Sequence, residues 1–154
     1  MKKEDCIFCK IVKGESPCYK VLEDEKHLAF LSIFPNTDGF TVVITKEHFS
    51  SYGFANTDQT LGELVLFSKK VAQLIDKAFE DVGRTALMME GFGVDHLHVK
   101  LFPMHGTNSE VWRQYSSTMN KFFKEYEGYI SSHDCERADD KYLENIAAKI
   151  RKAI

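Results

Sequence analysis

The chain has 154 residues, of which 44 % are hydrophobic and 28 % charged, and its formal net charge is −3. This length and apolar fraction predict a single globular domain and exclude wholesale disorder. Its 20 basic residues do not outnumber its 23 acidic ones, so we expect neither general nucleic-acid binding nor a nucleic-acid partner.

The N-terminal residues carry no apolar run behind Lys2 and Lys3, and no stretch approaches the length of a membrane span. We therefore expect no signal peptide and no membrane partner, and we predict a cytoplasmic protein. Disulfides are improbable in that reducing compartment, so cysteines there are buried side chains or metal ligands. The cysteines are Cys6, Cys9, Cys18 and Cys135.

The first part of the chain predicts a short helical turn followed by three strands. The turn covers CIFCKIVKG and ends at Gly14. Strands are predicted at 19–23, 27–33 and 40–45, separated by turn-forming residues. The last of them, FTVVIT, is apolar and β-branched, which is typical of a central strand.

A long helix follows, beginning at the Thr57 cap and ending near residue 80. Its apolar residues recur every three or four positions and form one stripe. Strands at 85–90 and 96–102 and a terminal helix at 139–154 complete the pattern, which predicts an α+β fold with a mainly antiparallel sheet. The stripe consists of Leu61, Leu64, Phe67, Val71, Leu74, Ile75 and Phe79.

The strand at 96–102 carries the most informative pattern. Alternate residues of a strand share a face, so His96, His98 and Lys100 lie on one side and the apolar residues 97, 99 and 101 on the other. Such a face is an exposed polar surface, a ligand site or a two-histidine metal site, and the spacing alone leaves these open.

Cys6 and Cys9 form a C-x-x-C pair, whose two thiolates can hold one zinc ion. The sequence has one such pair, so two histidines would have to complete the site. The alternative is two packed thiols without a metal.

These motifs together resemble the histidine triad family of nucleotide hydrolases and transferases. The hallmark of that family is His-φ-His-φ-His-φ-φ, where φ is apolar, and residues 96–102 read HLHVKLF. CIFCKIVKGE, KVLEDEKHLAFL and the run from Gly39 to His48 follow in the family's order, so the resemblance extends from residue 6 to residue 102.

The resemblance implies a fold, a domain organisation and an assembly. We expect a five-stranded antiparallel sheet with one long helix, forming a histidine triad (HIT) domain at 1–110. A C-terminal helical extension at 111–154 should pack on the same domain. A homodimer should form through the long helix and the strand at 85–90.

It also implies an activity on a nucleoside 5'-phosphate derivative. His98 matches the nucleophile that attacks the α-phosphate, and a neutral imidazole has an unprotonated nitrogen for this attack. His96 and Lys100 would support the reaction. The substrate would be a phosphoramidate, an adenylate conjugate or a dinucleoside polyphosphate, cleaved through a nucleotidyl-His98 intermediate.

Further residues are implied for substrate and metal. A structural zinc ion would be held by Cys6, Cys9, His48 and His96. Leu22, Phe30 and Ile33 would form an apolar slot for the base, and Ser32 would stand at the ribose position. Backbone amides at Gly91 and Gly93 would approach the phosphate, and His105 would lie near it.

The sequence departs from the family pattern at four places. Lys100 stands where the third histidine belongs, Phe40 replaces a further histidine, and Ser32 replaces a ribose-binding aspartate. The phosphate loop at 89–94 is short and lacks its usual asparagine and glutamine. These departures keep two alternatives open, namely a nucleotide-binding module without turnover and a structural zinc protein whose pocket binds a protein partner.

Overall fold

A computed structural model describes residues 3–131 and residue 141, which divide into one compact unit ending at Trp112 and a second beginning at Arg113. The predicted helix at 139–154, except for Lys141, and Cys135 lie outside the described residues. The helices and strands of the described residues 3–131 belong to the first unit. They are α1 (Ile7–Val12), β1 (Lys20–Glu23), β2 (His27–Leu31), β3 (Thr41–Thr45), α2 (Asp58–Ala78), β4 (Thr85–Met88) and β5 (His98–Pro103), with 3-10 turns at Lys3–Asp5 and Gly53–Ala55.

The five strands form one antiparallel sheet in the order β1-β2-β3-β5-β4, which confirms the predicted α+β fold. β5 is therefore an inner strand, between β3 and β4. It begins at His98 rather than at the predicted residue 96, because the His96 N–H donates to the Val94 carbonyl at 2.8 Å in a turn. Residues 94–97 thus approach the sheet as a loop.

One face of the sheet is covered by α2, whose cap is the Thr57 hydroxyl accepting the Thr60 N–H at 3.1 Å. The predicted stripe packs inward except at Leu74, which is 43 % exposed because its neighbour Ile75 takes the inward position. No helix among the residues described is both long and apolar enough to span a membrane. The buried core on this face consists of Ala29, Val43, Leu64, Phe67, Val71, Ile75, Leu97, Val99 and Leu101.

The opposite face is covered by α1, which has six residues. Cys6, Phe8 and Cys9 pack there against Phe30 and further residues of β2 and β3. Because so short a helix covers a small area, part of this face stays open. The part of this face that α1 leaves uncovered forms a cavity.

Candidate functional site

His98 lies at the start of β5, buried on the face covered by α1. Its Nδ1 is 2.7 Å from the His96 carbonyl oxygen. A carbonyl only accepts, so Nδ1–H donates and the lone pair of the ring is on Nε2. Burial, and secondarily the Lys100 charge, lower the pKa of His98 below its ordinary value of 6.5. The imidazole is therefore neutral at pH 7.

A cavity of about 570 Å³ opens beside His98 and Lys100. This volume is within the usual range for small-molecule sites. Its wall is mainly apolar, and Phe40 at its edge stacks on Phe102 with the ring centroids 4.5 Å apart. The lining consists of Ile7, Phe8, Ile11, Ser16, Pro17, Cys18, Phe30, Leu31, Ser32, Ile33, Phe34, Phe40, Val42, Gly93, Val94, His98 and Lys100.

The structure brings some of the predicted substrate residues to this cavity and places others elsewhere. Phe30, Ser32, Ile33 and Gly93 line it together with His98 and Lys100. Leu22 packs instead against the α2 side of the sheet, where its cross-strand neighbour is Ala29.

Gly91 adjoins the backbone of Ser51 and Tyr52, just before the 3-10 turn, and does not line the cavity. Its φ is +75°, and a Cβ added there would lie 2.5 Å from the Ser51 carbonyl oxygen. This position therefore requires glycine, which fixes the backbone of the short loop between β4 and β5.

His105 lies outside the cavity lining, with both ring nitrogens engaged. Nδ1 is 3.1 Å from the Asp81 carboxylate, and Nε2 is 3.0 Å from the Asp38 carbonyl oxygen. The Asp38 carbonyl and the Asp81 carboxylate raise the pKa of His105 above 6.5. In this position the ring joins three loops, and its contact with a phosphate stays a prediction.

Lys100 forms an ion pair with Glu90, a residue that the sequence did not single out. Lys100 is opposite Met88 in the β4–β5 register. Glu90 follows the end of β4, two residues after Met88, and its carboxylate contacts the Lys100 ammonium group. The alternation within the predicted strand 85–90 was the signal that could have identified it.

Four residues from separate parts of the chain form a cluster that suits a metal ion. One ligand atom from each of Cys6, Cys9, His48 and His96 lies within 4.8 Å of the others. Nδ1 of His96 is 3.4 Å from the Cys6 sulfur and 3.6 Å from the Cys9 sulfur, and Nδ1 of His48 is 3.3 Å from the Cys9 sulfur. Tetrahedral zinc–sulfur and zinc–nitrogen bonds imply sulfur–nitrogen separations of about 3.5 Å.

The protonation of His96 also fits a metal ligand. Its Nε2 is 2.7 Å from the Thr45 carbonyl oxygen, so Nε2–H donates and the Nδ1 lone pair faces the two sulfurs. The side chain is fully buried, and burial lowers the pKa of His96 to about 4. The neutral imidazole that a metal requires is therefore the state present at pH 7.

Comparison with known proteins agrees with this fold. The HIT domain model matches residues 13–107. Protein hit of Bacillus subtilis is 37 % identical over 121 residues, 73 % of this chain and 82 % of the relative. Adenosine 5'-monophosphoramidase hnt1 of Schizosaccharomyces pombe is 37 % identical over 102 residues, 64 % of this chain and 73 % of the relative. A crystal structure from Streptococcus mutans superimposes with a TM-score of 0.69 at 30 % identity, covering 99 % of this chain and 86 % of that one. The chain belongs to the histidine triad (HIT) family.

Proposed function

We propose that the protein is a nucleotide-binding hydrolase that cleaves a nucleoside 5'-phosphate derivative through a nucleotidyl-His98 intermediate. The observation that carries this proposal is the orientation of His98, whose Nδ1 is held by the His96 carbonyl at 2.7 Å while the ring borders the cavity. A relative in Schizosaccharomyces pombe named as an adenosine 5'-monophosphoramidase supports the reaction class.

The reaction would proceed in two displacements at the α-phosphorus. His98 Nε2 forms a bond to the phosphorus while the bond to the leaving group breaks, and the leaving group takes up a proton from solvent. Water then attacks the same phosphorus and loses a proton to solvent. The P–N bond breaks, its electron pair returns to His98 Nε2, and the nucleoside monophosphate is released. The Lys100 ammonium group beside His98 would stabilise the negative charge that grows on the phosphate oxygens in both steps.

The apolar wall would bind the base. Phe30, Ile33 and Phe40 offer aromatic and aliphatic surface for it. Ser32 is the lining residue at the predicted ribose position, where its hydroxyl accepts the Phe34 N–H at 3.2 Å. The hydroxyl keeps one O–H donor and one lone pair for a ribose, whereas the two oxygens of a carboxylate can each accept from a ribose hydroxyl.

Release of AMP from adenosine 5'-phosphoramidate tests the proposal. We expect turnover by the wild-type protein and competitive inhibition by AMP. AMP binding without turnover of phosphoramidate, adenylate conjugate or dinucleoside polyphosphate would instead identify a nucleotide-binding module.

For the cysteine and histidine cluster, we propose one structural zinc ion per chain. Four protein ligands leave no open position for a reactive water, so the ion would fix structure rather than take part in the reaction. It would join α1 to the segment leading into β5, through Cys6, Cys9 and His96. Thiolate ligands fit the reducing cytoplasm that the sequence predicts.

We also propose a homodimer built on β4 and α2. β4 is an edge strand of the sheet, and Leu87 on it is 47 % exposed. On α2, Val65 and Leu66 are 40 % and 63 % exposed. A second copy is the occupant that the family resemblance implies for this surface.

A further inference from the structure

We propose that Glu90 sets the charge selectivity of the His98 cavity, favouring substrates whose leaving group is uncharged or cationic, such as an amine, over polyphosphates. This selectivity rests on the proposed function, because it concerns which nucleoside phosphate derivative the same cavity accepts. It follows from the charges present at the cavity.

Positive charge is scarce at this site. Among the described residues lining the cavity, Lys100 supplies the one permanent positive charge. That charge is paired with Glu90, whose side chain is 10 % exposed. Solvent ions screen such a partly buried carboxylate less than an exposed one. The pair therefore offers an incoming phosphate far less attraction than a lone lysine would.

Glu90 also has little freedom to leave. It lies between β4 and Gly91, and the backbone at Gly91 packs against the Ser51 carbonyl so closely that a Cβ would lie 2.5 Å away. A phosphate that approaches Lys100 must consequently come within a side-chain length of the Glu90 carboxylate. Both groups are negative, so each further charge on the ligand adds repulsion.

Leaving groups differ in the negative charge that they bring near Glu90. A phosphoramidate carries one negative charge on its phosphorus, and its amine adds none. A pyrophosphate or longer chain brings additional negative charges to the same end of the cavity. At separations of about 6–8 Å, the repulsion between two unit charges lowers an affinity by roughly threefold at the dielectric constant of water and by roughly 30- to 100-fold at an effective dielectric constant of 20. An effect of about tenfold per charge lies between these limits. An amine N–H, in contrast, can donate to the carboxylate.

Equilibrium binding of AMP and of α,β-methylene-ADP, which cannot be cleaved between its two phosphorus atoms, tests this selectivity. We expect the wild-type protein to bind AMP at least as tightly as the diphosphate analogue. Glu90→Gln should raise the affinity for the analogue about tenfold more than the affinity for AMP. Glu90→Asp keeps the charge and should keep the wild-type ratio.

Glu63→Gln is the matched control. Glu63 is paired with Lys26 at 2.8 Å and lies outside the cavity, so this change removes the same charge from the molecule without altering the site. The ratio of its affinities for AMP and α,β-methylene-ADP should equal that of the wild type.

An unchanged ratio in folded Glu90→Gln, or a wild-type protein that binds the analogue ten times more tightly than AMP, would overturn the selectivity and leave the proposed function standing. The second result needs no variant to fold. If folded wild-type protein binds neither ligand, the proposed function fails, and the selectivity fails with it.

Discussion

His96 and His98 are two residues apart, yet backbone carbonyls select opposite tautomers for them. The Thr45 carbonyl accepts a hydrogen bond from Nε2–H of His96, and the His96 carbonyl accepts one from Nδ1–H of His98. His96 therefore presents Nδ1 to two sulfurs, while His98 keeps Nε2 for the cavity. Strand alternation predicted the shared face of these rings from the sequence. It could not predict which ring nitrogen is free, because that depends on carbonyls placed by the fold.

His98→Ala should abolish turnover while leaving the affinity for AMP within a few fold. In the proposed reaction the lost nitrogen forms its bond to phosphorus in the transition state, and the apolar wall proposed to bind the base is unchanged. Steady-state kinetics and calorimetry on the same preparation measure the two effects. Normal turnover by this variant would rule out His98 as the nucleophile.

Asp81→Asn should lower the pKa of His105 toward its ordinary value. In the wild type this pKa is raised by the Asp38 carbonyl and by the Asp81 carboxylate. The pair of charged His105 and Asp81 therefore stabilises the fold fully below pH 6.5, and this contribution is lost as the pH rises through the raised pKa. NMR titrations of the His105 ring measure its pKa in the wild type and in Asp81→Asn. Equal values in the two proteins would contradict the contact.

At the scale of elements, strand periodicity and the spacing of apolar residues predict most of the fold. They identify the five strands, α2 and its inward stripe. Leu22, which the family resemblance assigns to the base slot, lies on the α2 side of the sheet because the register of β1 against β2 shifts between Lys20 and Leu22. A register shift of one residue reverses which side chains of a strand face the cavity. The residue types at these positions do not predict such a shift.

Cys9→Ser should release zinc and lower the melting temperature by roughly 5–10 °C. The proposed zinc ion would connect α1 to the segments that carry His48 and His96, and losing about 2–3 kcal/mol of metal-linked stability shifts the melting temperature of a domain of this size by that amount. Elemental analysis and thermal melts measure the two effects.

Cys18→Ser serves as its control, because Cys18 is a thiol outside the cluster. This variant should keep the metal. Wild-type protein purified without chelators and found free of zinc would contradict the proposed ion.

At the scale of the whole molecule, the family order of motifs predicts the HIT domain, which the family model confirms over residues 13–107. The domain boundary at residue 110 stays a prediction. Packing of the segment 111–154 on that domain stays a prediction. Its mixture of aromatic and charged residues, as in NKFFKEYEGY, has no single periodicity. Pattern reasoning therefore assigns no element to residues 120–129, whereas the apolar spacing at 139–154 predicts a helix.

Light scattering at micromolar concentration should return about twice the chain mass of 17.7 kDa. Leu87→Lys on β4 should yield monomers, because it places a charge in the proposed interface. Val21→Lys, on the opposite edge strand β1, exchanges a similarly exposed apolar residue and should leave the dimer intact. A wild-type monomer would contradict the assembly.

Capture of the covalent intermediate tests the proposed reaction most directly. Adenosine 5'-phosphoramidate is mixed with the protein, and the reaction is stopped within milliseconds by alkaline denaturant, which preserves a P–N bond. Intact-mass and peptide mass spectrometry then locate the adduct. We predict one adenylyl group on His98, absent from His98→Ala. Turnover of the substrate with no adduct at any quench time, or with the adduct on another residue, would contradict a nucleotidyl-His98 mechanism.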